Sequence, residues 1–511
     1  MNSGETIYSV LRDAPAGQTM VVDGDDALTY AQVRERVDRL AAWMSQRGVR
    51  AGDRVVLQLP KCVEEVFVIY ACARLGAAFV DVHPVCTAAQ VAYFVGNSQP
   101  ALLVCPTRMS QQLKLPASTC TADILAPSTR DEIWSGPATD PSPLPDVASA
   151  GSLAALLYTS GATGRPKGVM HSQANLVAFG RNVVRYLGNT SDDRILGLLP
   201  LSFGYGLNQL LSAVECGATY VVERSPLATD IVASLQRRQI TGLGAVPSMW
   251  RQIVDVLKRS GERVPSLRYL TNSGEAPSRA LIDDLRACLP TTSIFLMFGA
   301  TEALRSTYLP PADLARKPGA IGQAVPGVEV FVLTEDGRIG GPGDRGELLH
   351  RGDHTMLGYW QDPEATARKL KSHPKLFGDE RPLLHTEDHV RIDDDGCLWF
   401  ESRADWMIKR NGFRYSLPNL EEAAGEGLPV VACATVAVPD AQEAQRILLM
   451  LIPRPGDHRT SDDYMRLLRK QVPGYMLPDE IVLWPDAQFP HTPNGKLDRQ
   501  RIRQGMVNRG R

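Results

Sequence analysis

The stretch Leu156-Leu-Tyr-Thr-Ser-Gly-Ala-Thr-Gly-Arg-Pro-Lys-Gly-Val-Met-His171 decides how the rest of the chain is read. The apolar run Leu153 to Leu157 predicts a buried strand, and the polar, glycine-rich loop after it leaves a sheet edge with its hydroxyls and amides turned to a ligand. Thr159, Ser160 and Thr163 bring hydroxyl donors, Gly161, Gly164 and Gly168 allow close approach of the backbone to an anion, and Lys167 adds a positive charge. That combination points to phosphate. A P-loop of the triphosphatase kind would end in Gly-Lys-Ser/Thr, whereas Pro166, Lys167 and Gly168 stand here, so phosphate is gripped in another way.

With 511 residues, 44% of them hydrophobic, the chain has core enough for two or more globular units. Its 55 basic and 57 acidic residues nearly balance, which argues against nucleic acid or an anionic membrane as main partner. Met1 to Pro15 lacks the charged start and apolar core of a signal peptide, and no run approaches a membrane span. Nine cysteines are scattered from Cys62 to Cys433 without a Cys-x-x-Cys pair, the pattern of reduced thiols in a cytoplasmic protein without disulfides or a zinc site.

Helical and strand patterns alternate through the first 145 residues: a helix over Tyr30 to Arg47, a strand over Arg54 to Leu59, a helix over Glu64 to Ala78. Alternation of this kind predicts a layered α/β domain with helices on both faces of a sheet. Pro127 to Gly151, rich in Pro, Ser, Asp and Ala, reads as a surface connection. Gln173 to Arg185 reads as a helix, Arg194 to Leu199 as a strand, and Leu243 to Trp250 as a strand and turn before a helix over Arg251 to Lys258. Strands over Leu267 to Leu270 and Thr292 to Phe295 run into glycine-containing turns, Thr271-Asn-Ser-Gly-Glu-Ala-Pro277 and Leu296-Met-Phe-Gly-Ala-Thr-Glu302. Parallel sheets bind ligands beyond such strand ends, which makes Ser273, Gly274, Glu275, Phe298 and Gly299 candidate ligand contacts. From Ala320 a smaller β-rich unit begins. Its Leu383 to Ile392 pattern is a strand, so His385 and His389 lie about 13 Å apart and do not form a helical metal pair.

Tyr158-Thr-Ser-Gly-Ala-Thr-Gly-Arg-Pro-Lys-Gly-Val169 resembles the phosphate loop of the adenylate-forming superfamily, which includes acyl-CoA synthetases, luciferase and the adenylation domains of nonribosomal peptide synthesis. Ala162 departs from the family pattern, which has a hydroxyl residue there. Phe298-Gly-Ala-Thr-Glu302 resembles the family's Tyr-Gly-x-Thr-Glu, Leu384-His-Thr-Glu-Asp388 its Thr-Gly-Asp turn with Glu387 in place of glycine, and Pro490-His-Thr-Pro-Asn-Gly-Lys496 its lysine motif. Ser402-Arg-Ala-Asp-Trp-Met-Ile-Lys-Arg-Asn-Gly-Phe-Arg414 resembles the family's hinge. The matches run in family order over essentially the whole chain.

The resemblance implies a large domain of layered sheets with helices and a β-rich subdomain, residues 1–404, and a small mobile α+β domain, residues 405–511. It further implies ATP and magnesium, with Ser273, Gly274, Glu275 and Gly299 beside adenine and ribose, Phe298 on adenine, Thr301 on the α-phosphate, Glu302 on the metal, Asp388 on the ribose hydroxyls, Arg403 on ribose or phosphate, and Lys496 bringing carboxylate and phosphate together. Asp405 matches the hinge residue and Gly412 the turn facing the pocket in the thiolation state. Phe203, Gly204, Val246, Met249 and Trp250 match walls of the acyl pocket. Amino-acid-activating members usually carry an Asp where Gly204 stands, and no carboxylate lies between Leu198 and Val214, which disfavours an α-amino acid unless Glu215 or a later group substitutes. The implied activity converts a small carboxylic acid to acyl-AMP and passes the acyl group to a thiol. CoA is the leading acceptor; a phosphopantetheinyl acyl or peptidyl carrier protein is the second. A nucleotide-binding homologue without catalysis is the third reading, made conceivable by Ala162 and Glu387 and opposed by Lys496, Glu302 and Asp388. Monomer and homodimer are both compatible with the sequence.

Overall fold

The computed structural model describes residues 4–115, 119–135, 148–160, 166–274, 276–277, 279–403, 407–410, 413–439, 445–485, 489–490, 501–503 and 505–506. The chain divides into two compact units, Met1–Tyr158 with Gly168–Ser402, and Thr159–Lys167 with Arg403–Arg511.

In the first unit short apolar runs become buried strands. A sheet in the spatial order Gln323–Ala324, Thr307–Leu309, Ser293–Phe298, Tyr269–Asn272, Gly242–Ala245, Arg194–Gly197, Thr219–Val222, Thr19–Asp23, Asp26–Thr29 is parallel across its six central pairing partners. A second sheet runs Gly358–Tyr359, Pro166–Ser172, Leu153–Ser160, Ala78–Asp81, Arg54–Leu57, Leu102–Val104, Cys120–Ala122. Strands such as Ala78–Asp81 and Gly242–Ala245 are buried at every position, as parallel strands covered on both faces must be. Helices Gln173–Leu187 and Gly204–Glu215 pack so closely that a Cβ on Gly180 would stand 3.1 Å from the Leu211 carbonyl oxygen. A third, largely antiparallel sheet joins Val328–Leu333, Arg345–Gly352, Leu383–Ile392, Leu370–Lys371 and Leu398–Arg403.

The second unit has its own core. A hairpin, Met407–Arg410 with Phe413–Ser416, and a sheet of Val430–Pro439, Gln445–Pro453 and Glu480–Leu483 pack with helices Leu417–Gly427 and Ser461–Leu468 around Tyr415, Leu420, Leu449, Tyr464 and Leu468. All nine cysteines are free thiols.

Two sequence readings are corrected. Residues Pro127–Trp134 form a helix within the stretch read as a connection; proline at its first position costs no hydrogen bond, because that N–H would have no partner anyway. For the same reason the helix after Val246 begins at Pro247 and not at Arg251, so Met249 and Trp250 belong to its first turn.

In the parallel sheet tyrosine rings lie over glycines of the neighbouring strand. Gly242 pairs with Tyr269, and a Cβ on Gly242 would sit 2.2 Å from the Tyr269 Oη; Gly197 meets Tyr220 in the same way. Gly242→Ala is expected to destabilise the first unit by about 1–3 kcal/mol through overpacking, read as a lower urea midpoint; an unchanged midpoint would show that the ring moves aside freely.

Candidate active site

The strand Pro166–Ser172 carries the chain out of the phosphate-loop stretch and into helix Gln173–Leu187. Ser172 is the helix N-cap: its Oγ accepts from the Asn175 N–H at 3.1 Å, and the Asn175 side chain accepts from the Ser172 N–H at 2.9 Å. This reciprocal cap fixes the strand exit and with it His171, which is completely buried. His171 Nε2 lies 3.0 Å from the Thr301 carbonyl oxygen. A carbonyl only accepts, so the proton is on Nε2 and the phosphate-loop strand is tied to the Thr301-Glu302 turn.

That turn is held at three consecutive carbonyls. Thr301 accepts from His171, Glu302 from the Met356 N–H at 2.8 Å, and Ala303 from His354 Nδ1 at 3.0 Å. Glu302 is 9% exposed; its Oε1 accepts from the Tyr359 hydroxyl at 2.8 Å, while its Oε2 is buried without a partner among the described residues. Leu304 turns into the left-handed region at φ 51°, and the chain folds back so tightly that a Cβ on Gly299 would stand 2.9 Å from the Arg305 Cα. Gly299 is therefore set by backbone packing. Phe298 ends its strand with its ring 5.8 Å from that of Phe400, and Phe400 is 43% exposed.

Beside the turn lies a buried positive charge. Arg305 is 2% exposed, donates to Ser273 Oγ at 2.8 Å and sits 5.2 Å from the Tyr205 ring. Its Nε has no partner, and among the described residues no carboxylate pairs with it. Gly274, next to Ser273, has φ 98°.

Asp388 is 3% exposed on the strand Leu383–Ile392. Glu387 before it occupies the left-handed region at φ 61°, so the turn keeps the backbone shape that glycine favours although the residue is not glycine. His385, on this strand as read from sequence, is held by Glu347 and His373 through its two ring nitrogens, each at 2.9 Å.

The expected pocket residues separate. Phe203 caps helix Gly204–Glu215 with its ring 6.0 Å from that of His83, and a Cβ on Gly204 would lie 3.1 Å from Leu304 Cδ2. Val246, at the N-cap of its helix, is buried and Met249 is half-buried. Trp250 is corrected: it is completely buried in the core with Ile253 and Leu270, and its indole N–H lies 3.1 Å from the Ala245 and 3.2 Å from the Thr271 carbonyl oxygens, so its polar edge is satisfied inside the core. Glu215 is corrected as an ammonium receptor, because Arg181 occupies it at 2.6 Å. Gly168 is corrected too. The space its side chain would fill is taken by the Tyr158 ring and Trp360 Cβ, both 3.3 Å away, so it serves packing and not the approach of an anion.

Thr159 and Ser160 end the strand Leu153–Ser160, Lys167 is half-buried in the strand after the loop, and Arg403 ends Leu398–Arg403. Gly161, Ala162, Thr163, Gly164, Glu275, Asp405, Gly412 and Lys496 lie outside the described residues. Sequence reasoning missed His171, His354, Tyr359, Arg305 and Glu347. His171 stood in the quoted stretch after apolar Val169 and Met170, which signalled burial but not its partner.

Residues 10–360 match the family of AMP-binding enzymes, and residues 419–496 match the AMP-binding enzyme C-terminal domain. The chain is a member of the AMP-binding enzymes. This is the adenylate-forming superfamily that the motifs resemble, whose members activate carboxylic acids by adenylation with ATP. Among relatives of this AMP-binding enzyme, an indoleacetate–CoA ligase of Aromatoleum aromaticum is 28% identical over 96% of the chain and 95% of its own length. An L-proline–[L-prolyl-carrier protein] ligase of Streptomyces coelicolor is 30% identical over 94% and 92%. A linear gramicidin synthase polypeptide of Brevibacillus parabrevis is 29% identical over 94% of the chain, which spans only 6% of that much longer relative. The fold matches the amide bond synthetase McbA of Marinactinospora thermotolerans with a TM-score of 0.86 at 23% identity, over 98% of this chain and 99% of that one. Among the described residues no helix is long and apolar enough to cross a membrane.

Burial forces the site's imidazoles to stay neutral. It pushes His171 and His354 down to about 4 and His350 well below its ordinary 6.5. His350 is completely buried and neither ring nitrogen has a partner among the described residues. As pH falls below 6.5 the unfolded chain takes up a proton that the folded chain refuses, so this residue costs stability in acid. His350→Leu should stabilise the protein by about 1–3 kcal/mol at neutral pH, and the gain should grow from pH 7 toward pH 5. Urea titrations at several pH values check this; a gain independent of pH would contradict the assigned protonation.

Proposed function

We propose that this enzyme adenylates a small acyl or aryl carboxylic acid and then transfers the acyl group to a thiol, with CoA as acceptor. In the first step a substrate carboxylate oxygen bonds to the α-phosphorus of ATP while the bond to pyrophosphate breaks. A carboxylate is already nucleophilic, so the site must position two anions and offset their repulsion, with no need of a general base. The observation that carries this reading is the anchoring of the Thr301-Glu302 turn to the end of the phosphate-loop strand by His171. It supports Thr301 facing the α-phosphate; the remaining phosphates fall to Thr159, Ser160, Thr163 and Lys167 on the resemblance of their motif to the family's. The charge of Arg305, buried four residues from Thr301 and without a paired carboxylate among the described residues, adds a positive potential suited to an anionic substrate.

Glu302 fits a hard cation: one carboxylate oxygen is fixed by Tyr359 and the other is buried without a partner. Magnesium needs few protein ligands when nucleotide phosphates supply the rest, and bound there it would neutralise phosphate charge. Asp388 takes the ribose hydroxyls, Phe298 lies against adenine, and Lys496 spans carboxylate and α-phosphate during adenylation. Rotation about Asp405 then exchanges Lys496 for the face carrying Gly412. An α-amino acid is disfavoured, since Glu215 is occupied by Arg181 and a larger residue at Gly204 would press on Leu304.

A panel of aromatic, aliphatic and amino acids assayed by ATP/pyrophosphate exchange tests the first half; exchange with neutral acids but not with α-amino acids is expected. Lys496→Ala should lower exchange by roughly 10²–10³-fold and spare thioester formation from supplied acyl-AMP. Equal damage to both steps would refute its role. Offering CoA and a holo-carrier protein separately identifies the acceptor. Transfer to the carrier alone favours the second reading, for which the carrier-protein ligase among the relatives speaks.

A further inference from the structure

The antiparallel pairing of Arg345–Gly352 with Leu383–Ile392 breaks where Asp388 sits. Glu347 stands opposite His389 and Leu349 opposite His385, so Leu348 alone faces Thr386, Glu387 and Asp388. A bulge of this kind leaves backbone groups without ladder partners. Side chains replace them. Thr386 Oγ1 donates to the Leu348 carbonyl at 2.7 Å and accepts from the Asp388 N–H at 3.1 Å; Glu347 Oε1 accepts from the Glu387 N–H at 2.9 Å.

Glu347 is itself braced. Its Oε2 lies 2.9 Å from His385 Nδ1, and His385 Nε2 lies 2.9 Å from His373 Nε2. A carboxylate only accepts, so Nδ1 carries the proton. Burial pushes the Glu347 carboxyl up, but His385, the Glu387 N–H and Lys369 outweigh it and hold it below the usual range, which keeps the acceptor charged. Lys369 also pairs with the Glu387 carboxylate at 2.8 Å. The residue so restrained is one at φ 61°, a conformation that costs a non-glycine residue free energy and persists only where its surroundings impose it.

We propose that Glu347 is a positioning residue: it holds Glu387 in the left-handed conformation and thereby sets the Asp388 carboxylate for the two ribose hydroxyls. This rests on the ribose role of Asp388. Glycine at position 387 would adopt the same backbone without strain and would not need the brace.

Calorimetric titration of the full chain with AMP and with 2′,3′-dideoxy-AMP separates the possibilities, because only AMP offers hydroxyls to Asp388. Glu347→Ala should weaken AMP about tenfold and leave the dideoxy nucleotide unchanged. Glu347→Gln keeps an acceptor for the Glu387 N–H and should stay close to wild type. Glu347→Ala combined with Glu387→Gly should recover the preference for AMP. Equal weakening of both nucleotides in Glu347→Ala, or no recovery in the double variant, overturns the proposal. Asp388→Asn reports on the underlying reading: if it keeps the preference for AMP, the ribose assignment fails. If Asp388→Asn loses that preference while Glu347→Ala keeps it, the brace alone fails.

Discussion

The hydrogen bond from His171 to the Thr301 carbonyl joins two segments 130 residues apart, and the rest of the site is arranged from it. On one side it ends the strand that leaves the phosphate loop; on the other it begins a turn whose next two carbonyls are taken by Met356 and His354. Glu302 and Ala303 are buried and Thr301 is half-buried, so leaving one of these acceptors unpaired would cost about 1–3 kcal/mol. The turn thus has essentially one satisfied arrangement, and the Glu302 carboxylate emerges from it already fixed by Tyr359.

The electrostatics follow the same logic. Imidazoles here work as neutral donors, because burial removes the water that would stabilise their charged forms. Arg305 carries a guanidinium, and among the described residues no carboxylate pairs with it. Carboxylate and phosphate are both anions, and a fixed positive charge without a paired carboxylate among the described residues attracts either. At the bulge beside Asp388 the opposite arrangement applies: a charged carboxylate, Glu347, is kept in place to hold a neighbouring backbone in an unfavourable shape.

Much of the fold could be read from the sequence, because its signals were local. The helix Tyr30–Gln46 and the strand Leu153–Ser160 appeared where apolar spacing placed them. Local signals also misled. Pro127 and Pro247 stand in stretches that read as a connection and a turn, whereas each opens a helix. Trp250 looked like a pocket wall by resemblance, yet its indole N–H finds backbone carbonyls inside the core. Glu387 put its turn in doubt until φ 61° showed glycine's conformation imposed on another residue.

By itself the sequence determined the alternation of elements, the order of the motifs and the family they mark, since these depend on residue type and on spacing along the chain. Tertiary structure decided which glycines serve packing, which acids are already occupied and which side chains hold the site from behind. His171 with Thr301, Arg181 with Glu215, and Glu347 with Glu387 are contacts between segments 34 to 130 residues apart. Periodicity along the chain carries no record of such meetings; they arise only when the layers close and buried polar atoms must find partners.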